Sequence, residues 1–324
     1  MGMYNSLTDH CKLVNNGIID YYVIDRMDEV KAEMLRLLKV VDEICRHKGL
    51  TYWIDGGTLI GAVRHQGFIP WDDDIDISML KSDYDILIRE LELGKYSKER
   101  KESLWFFGDN RNEHCCNYLC SQLNFFGRRK GSFGLVPIKL DIRPVNVIKN
   151  DKESLELNFE LREIANEWIF NKKVKNLTDR SIRFQKMTKE EFFKFYNEEY
   201  GFERDDNSIL ALPYYEFANE GFLSKDILDK VIEWQFDAIT TFIPAKYDEY
   251  LRTFYGDYMQ LPQVENRVPA QYEYITFKSK SSMINKMMRH PSKNRVNNLF
   301  KYIQIFGIKK TLNILKERSV LNTK

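Results

Sequence analysis

The chain reads as a mixed α/β (α+β) enzyme core, and three features of its sequence predict that class. Helical and strand periodicities alternate through the first 150 or so positions, while the second half carries mainly helical patterns. The 324 residues, 43% hydrophobic and 14% aromatic, suffice to bury a large core. With only 16 Gly and 8 Pro, no low-complexity run and no internal repeat, most of the chain is expected to fold.

Residues 26–48 place Val30, Met34, Leu37, Leu38 and Val41 at helical spacing, and Gly49 stands where a helix C-cap is expected. Thr51-Tyr52-Trp53-Ile54 is short, aromatic and β-branched, and is expected to be a strand. Asp55-Gly56-Gly57-Thr58 breaks it, with Thr58 as the expected cap of a short helix through about Arg64. Gly67 and Pro70 force a turn. Asp74-Ile75-Asp76-Ile77-Ser78-Met79 alternates polar and apolar residues as a half-buried strand does, and Ser82 would cap the helix that follows it. Leu104–Phe107, Tyr118–Phe126 and Ile138–Val147 are further expected strands. Residues 152–200 and 244–255 are expected to be mainly helical.

The net charge of +1 hides an asymmetry. Positions 278–324 hold 12 Lys or Arg against one acid, Glu317, which leaves 37 Lys or Arg and 47 Asp or Glu before them. An acidic body at 1–277 thus carries a basic, apolar-striped tail at 278–324. Five cysteines, no signal-peptide pattern at the start and no apolar run of spanning length point to a reducing, cytoplasmic setting. The grouping His114-Cys115-Cys116 with Cys120 lacks a distant partner pair, so no zinc is assigned.

The chemistry concentrates in Gly67-Phe68-Ile69-Pro70-Trp71-Asp72-Asp73-Asp74-Ile75-Asp76-Ile77. On a strand, residues two apart share a face, so Asp74 and Asp76 would project together while Ile75 and Ile77 enter the core. Two adjacent carboxylates repel unless a cation neutralises them, and oxygen-only ligands select a hard ion, Mg²⁺ or Mn²⁺. Lys139-Leu140-Asp141-Ile142-Arg143 has the form of a neighbouring strand: Asp141 would complete the metal site, and Lys139 or Arg143 would compensate phosphate charge. An ion pair on an exposed strand face is the equally weighted alternative for Asp141. Gly56-Gly57-Thr58 at a strand-to-helix junction would offer backbone N–H groups to phosphate oxygens. It is not a P-loop, because Ala62 and Val63 stand where Lys and Ser or Thr belong. Arg64 and His65 lie within reach of the same region. An EF-hand starting at Asp72 fails at Ile77 and Asp83. A prenyl-diphosphate motif would need a long helix where Pro70 and the alternating isoleucines indicate a strand. A D-x-D glycosyltransferase using a sugar nucleotide and a non-catalytic glycan- or membrane-binding subunit remain as alternatives.

From Tyr52 to Asp76 the sequence resembles the LicD family, which comprises bacterial lipopolysaccharide and teichoic-acid cholinephosphotransferases and is related to the fukutin-type ribitol-phosphate transferases. A second block, Ile243 to Pro262, is similar to the family's C-terminal motif. The resemblance implies a nucleotidyltransferase-like fold, a small mixed sheet flanked by helices, with a divalent metal and a CDP-activated donor, CDP-choline foremost. It places the metal on Asp74, Asp76 and Asp141 and adds Asp72, either as a support behind the metal ligands or as a base for the acceptor hydroxyl. Asp73 varies in type among relatives. Gly56, Gly57, Thr58, Arg64, Lys139 and Tyr255 are the expected donor-binding residues. The acceptor would be a cell-surface glycan, lipid-linked in some cases. No nucleic acid partner is expected. Trp105, Tyr214, Tyr215 and Trp234 are candidates to cage a quaternary ammonium, with core packing an equal account of each. The tail, outside the resemblance, fits binding at an anionic membrane surface on the cytoplasmic side, or packing on the acidic body.

Overall fold

The first two strands, β1 (Lys12–Asn15) and β2 (Asp20–Val23), form an antiparallel hairpin that the sequence reading did not anticipate. They belong to a computed structural model that describes residues 11–92, 102–106, 117–121, 125–129, 135–170, 182–184, 186–195, 208–211 and 222–277. The basic tail, Tyr214, Tyr215, His114, Cys115 and Cys116 lie outside the described residues. Helix α1 (Met27–Lys48) buries the expected stripe, with Val30, Met34, Leu37, Leu38 and Val41 all fully enclosed. Asp28 and Glu29 in its first turn and Arg46, His47 and Lys48 in its last complement the helix dipole. Gly49 ends it at φ +68°, the left-handed conformation expected there.

The centre is a seven-stranded mixed sheet built from β3 (Trp53–Ile54), β4 (Asp76–Leu80), β5 (Glu102–Phe106), β6 (Asn117–Ser121), β9 (Lys139–Lys149), β10 (Ser208–Ala211) and β11 (Phe222–Ser224). Strand β9 is its axis. One edge runs parallel to β4, and the other takes β6 along Lys139–Ile142 and β10 along Asn146–Lys149, both antiparallel. Held on both edges, β9 is buried without interruption from Lys139 to Asn146. Helix α1 packs on β9 and β6, and helix α3 (Lys81–Glu92) packs on β4 and β9. Helix α2 (Gly56–His65) crosses between β3 and the loop that leads into β4. Strands β7 (Phe125–Arg129) and β8 (Leu135–Pro137) form a second small sheet with β14 (Tyr272–Phe277), and β12 (Val231–Phe236) pairs with β13 (Ile239–Pro244).

The α/β class holds, with local corrections. The second half is helical over Lys152–Phe170, Lys189–Lys194 and Tyr247–Tyr255, but β10 to β14 also fall there. Their β-branched runs, Val231-Ile232 and Ile239-Thr240-Thr241, outweigh the helical patterning around them, and Asp237 at φ +48° makes the hairpin turn between β12 and β13. The single strand expected at 118–126 is two strands in different sheets. Asp55, not Thr58, caps α2, because its side chain accepts the Gly56 N–H while its backbone is extended. Helix α3 begins at Lys81, one residue before the expected Ser82 cap.

Candidate active site

The β4 ladder begins at Asp76, two residues later than the alternation suggested, so Asp72, Asp73 and Asp74 stand on an extended loop before it. What fixes the loop is Asp73. Its carboxylate is fully buried and accepts the backbone N–H groups of Ala270 (2.9 Å), Gln271 (2.9 Å) and Tyr272 (2.7 Å). With Asp73 held by residues 270–272, the acids at 72, 74 and 76 share one site. The charges of Asp74 and Asp76 both bear on Asp72.

Strands β4 and β9 bring in the fourth acid. Asp76 is the register partner of Asp141 and Ser78 that of Arg143, in parallel pairing. Parallel neighbours lie about 4.8 Å apart with side chains on the same face, so Asp76 and Asp141 stand side by side. On the opposite face Ile77, Leu140 and Ile142 are fully buried. Each of these carboxylates holds a buried base: Arg143 pairs with Asp76 at 2.9 Å, and Lys139 donates to Asp141. Asp74 accepts instead from the Gln271 side-chain amide, at 3.0 Å.

Above the pair lies the start of α2. Gly56 adopts φ +56°, and a Cβ placed there would stand 3.1 Å from Asp76 Oδ2, 3.5 Å from the Tyr255 hydroxyl and 3.8 Å from Arg143 Nη1. A Cβ on Gly57 would stand 2.8 Å from Asp72 Oδ2. The two glycines thus let the helix start close over the acids. Asp55 secures this arrangement as a buried hub: it accepts from Gly56 N–H and the Tyr250 hydroxyl, each at 2.7 Å, and from the Ser78 hydroxyl. The Thr58 hydroxyl accepts the Asp76 N–H at 3.0 Å, tying α2 to β4. Helix α2 therefore aims its N-terminal N–H groups and the positive end of its dipole at the acids.

The electrostatics follow from crowding. Burial first, then the charges of Asp74, Asp73 and Asp76 and the Asp74 hydrogen bond, push Asp72 well above the usual carboxylate range. Burial and the Asp74 charge raise Asp73 to about 6 despite its three backbone donors. Burial opposes the Lys139 charge, but Asp141, Asp74 and Asp76 more than offset it and hold the ammonium above its ordinary range. Four carboxylates (Asp72, Asp74, Asp76, Asp141) against two bases (Lys139, Arg143) leave a surplus of two negative charges when all are ionised. That surplus and the all-oxygen donor set fit a hard divalent cation. Among the described residues no three His, Cys, Asp or Glu side chains converge as a ready-made metal cage. Mg²⁺ usually takes one or two carboxylates and completes its shell with phosphate and water, for which the Asp76–Asp141 pair is sufficient.

Of the other expected residues, Tyr255 stands at the site with its hydroxyl beside Gly56. Arg64 is engaged elsewhere: it donates to the carbonyls of Tyr258 and Gln260 and to His65 Nε2, joining α2 to the Ile243–Pro262 block. Burial, then Arg64 and Lys31, lower His65 to about 4, so it is a neutral acceptor. Trp234 donates to the Ala62 carbonyl and packs on Tyr247, a framework role. Sequence reading did not single out Asp55, Tyr250 or Gln271, and it weighed Arg143 only as an alternative to Lys139.

The profile of the LicD/FKTN/FKRP nucleotidyltransferase domain matches residues 49–124, which include α2, the acidic loop and β4. The lipopolysaccharide cholinephosphotransferase LicD of Haemophilus influenzae is 27% identical over 262 residues, 74% of this chain and 94% of that protein. An uncharacterised protein of Rickettsia typhi is 33% identical over 109 residues, a third (33%) of each chain. The ribitol 5-phosphate transferase FKRP of Homo sapiens is 49% identical over 35 residues, 11% of this chain and 7% of that protein. The similarity thus falls on the part of the chain that carries the acidic site, and over residues 49–124 the chain resembles the LicD/FKTN/FKRP nucleotidyltransferase domain.

Proposed function

We propose that the protein transfers a phospho-alcohol group, phosphocholine foremost, from a CDP-activated donor to a hydroxyl of a cell-surface glycan or its lipid-linked precursor. The observation that carries this reading is the in-register pair Asp76–Asp141 lying beneath the N-terminus of α2. The similarity to a lipopolysaccharide cholinephosphotransferase over most of both chains favours the choline donor.

In this reading Asp76, Asp141 and Asp74 are the residues that would hold a divalent ion. When bound, the ion screens the donor diphosphate and the charge that grows on the departing CMP. The chain's own groups do the rest. The N-terminal amides of α2 at Gly57 and Thr58 orient the phosphates, and Lys139 and Arg143 supply positive charge beside them. Tyr255, with its hydroxyl next to Gly56, borders the donor. Asp72 takes the proton of the acceptor hydroxyl as the new O–P bond forms and the bond to CMP breaks; its raised affinity for protons suits that task. Arg64 serves the framework that holds α2 in place. The basic tail would keep the enzyme at the inner face of a membrane, where lipid-linked glycans are built.

The test is a donor panel (CDP-choline, CDP-ethanolamine, CDP-ribitol, CDP-glycerol and UDP-sugars), each with Mg²⁺ and with EDTA, followed by nucleotide release. Mg²⁺-dependent release of CMP from one CDP-alcohol supports the reading. Release of UDP from a UDP-sugar would replace it with a glycosyltransferase, and no release from any donor would favour a binding subunit.

A further inference from the structure

Asp72, Asp73 and Asp74 are identical in type, yet the structure gives them different tasks. Asp73 binds three consecutive backbone N–H groups, of Ala270, Gln271 and Tyr272. A carboxylate saturated by backbone donors fixes the path of the chain it holds. The consequence falls on Gln271, whose side chain is carried to Asp74, where the amide NH₂ donates to Oδ2 at 3.0 Å. The amide orientation is set by that partner, since a carboxylate oxygen accepts and only the NH₂ end can donate. The other end of the side chain, Oε1, is buried with no hydrogen-bond partner. An orphaned buried carbonyl costs roughly 1–3 kcal/mol, so Gln271 does not sit here for its own comfort. Asp74 stands close enough to the like charges of Asp72 and Asp73 to act on both, and within reach of the Lys139 ammonium. A fixed donor on Oδ2 restricts the Asp74 side chain and leaves Oδ1 unclaimed by Gln271.

We infer that Gln271 is a positioning residue for Asp74, and that the Asp73 clamp on residues 270–272 is the device that delivers it. The inference rests on the proposed function in one respect only, that Asp74 is a cation ligand. Partners that orient a ligating carboxylate typically change metal affinity or activity ten- to hundredfold. The full chain carrying Gln271→Met keeps the side-chain length and removes the donor. Gln271→Glu keeps the shape and sets a carboxylate against Asp74. Mn²⁺ binding is read by the loss of the free-ion EPR signal, with turnover of the active donor measured alongside.

The inference expects wild-type binding, about tenfold or more weaker binding in Gln271→Met, weaker still in Gln271→Glu, and a melting temperature close to wild type in Gln271→Met. Gln271→Asn, one methylene shorter, should not restore affinity. Wild-type affinity in Gln271→Met would overturn the inference while leaving the metal reading intact. Equal weakening in both variants accompanied by a large fall in melting temperature would also overturn it, by showing a general packing role. Absence of Mn²⁺ binding by the wild-type protein would instead remove the reading it rests on.

Discussion

At the scale of single residues, the site is a problem of charge kept apart from water. Asp76 and Asp74 respond differently to neutralisation because their partners differ. Asp76→Asn removes the counter-charge that buried Arg143 holds at 2.9 Å, and breaking a buried pair in this way costs about 3–5 kcal/mol. Asp74→Asn only exchanges one acceptor for another opposite the Gln271 amide. Both variants should lose transfer activity by at least about a hundredfold, whereas urea unfolding should show a large stability loss for Asp76→Asn and a loss under about 1 kcal/mol for Asp74→Asn. A second prediction concerns pH. Asp72 and Asp73 are both raised in the folded state, Asp73 to about 6 from an ordinary 3.8. The folded protein therefore binds these protons more tightly than the unfolded chain. Their contribution to stability is fully present below about pH 4 and is lost as pH rises through about 6. In EDTA, the melting temperature should rise as pH falls from 7 to 5, and Asp72→Asn should shrink that rise. A melting temperature that falls over this interval equally in both proteins would contradict the account. Sequence alone distinguishes none of the acids at 72–74, since type and spacing are shared. They are sorted by contacts to residues 197–199 positions away.

At the scale of elements, α2 is positioned by devices that are partly local and partly distant. The Gly-Gly break and the helix after it were legible, as was the face of α1 and the inward set of Leu140 and Ile142. Asp55 was not, because an Asp before two glycines reads as a breaker. Its role as hub depends on Ser78 and Tyr250, 23 and 195 positions further along. The start of β4 was misplaced for a related reason: alternation continues back through Asp74, but ladder bonds begin only at Asp76, where β3 and β9 flank the chain. Gly56→Ala forces a side chain into a left-handed backbone conformation and to 3.1 Å from Asp76 Oδ2. It should cost about 1–2 kcal/mol in urea unfolding and depress turnover further than stability alone explains. Asp55→Ala removes the cap of α2 and strands two buried hydroxyls. Its cost should be about 2 kcal/mol or more, which calorimetry would register together with loss of activity.

At the scale of the whole molecule, the acidic loop joins parts of the chain that are remote in sequence. Asp73 ties it to residues 270–272, and Arg64 ties α2 to the carbonyls of Tyr258 and Gln260. The block Ile243–Pro262 is thus framework for the site as well as its border at Tyr255. No helix among the described residues is long and apolar enough to cross a membrane. The proposed membrane attachment would rest on the tail with its 12 Lys and Arg residues. The full chain should float with anionic liposomes and lose this in 0.5 M salt, whereas removal of residues 281–324 should abolish it; flotation unchanged by the truncation would refute the role. The most direct measurement of the central claim is ³¹P NMR of CDP-choline with the wild-type protein and with Asp141→Asn, in Mg²⁺ and in EDTA, with water or a glycan as acceptor. Loss of the diphosphate resonances and growth of CMP only in the wild type with Mg²⁺ is the expected result. Equal CMP formation in EDTA, or by Asp141→Asn, would contradict it.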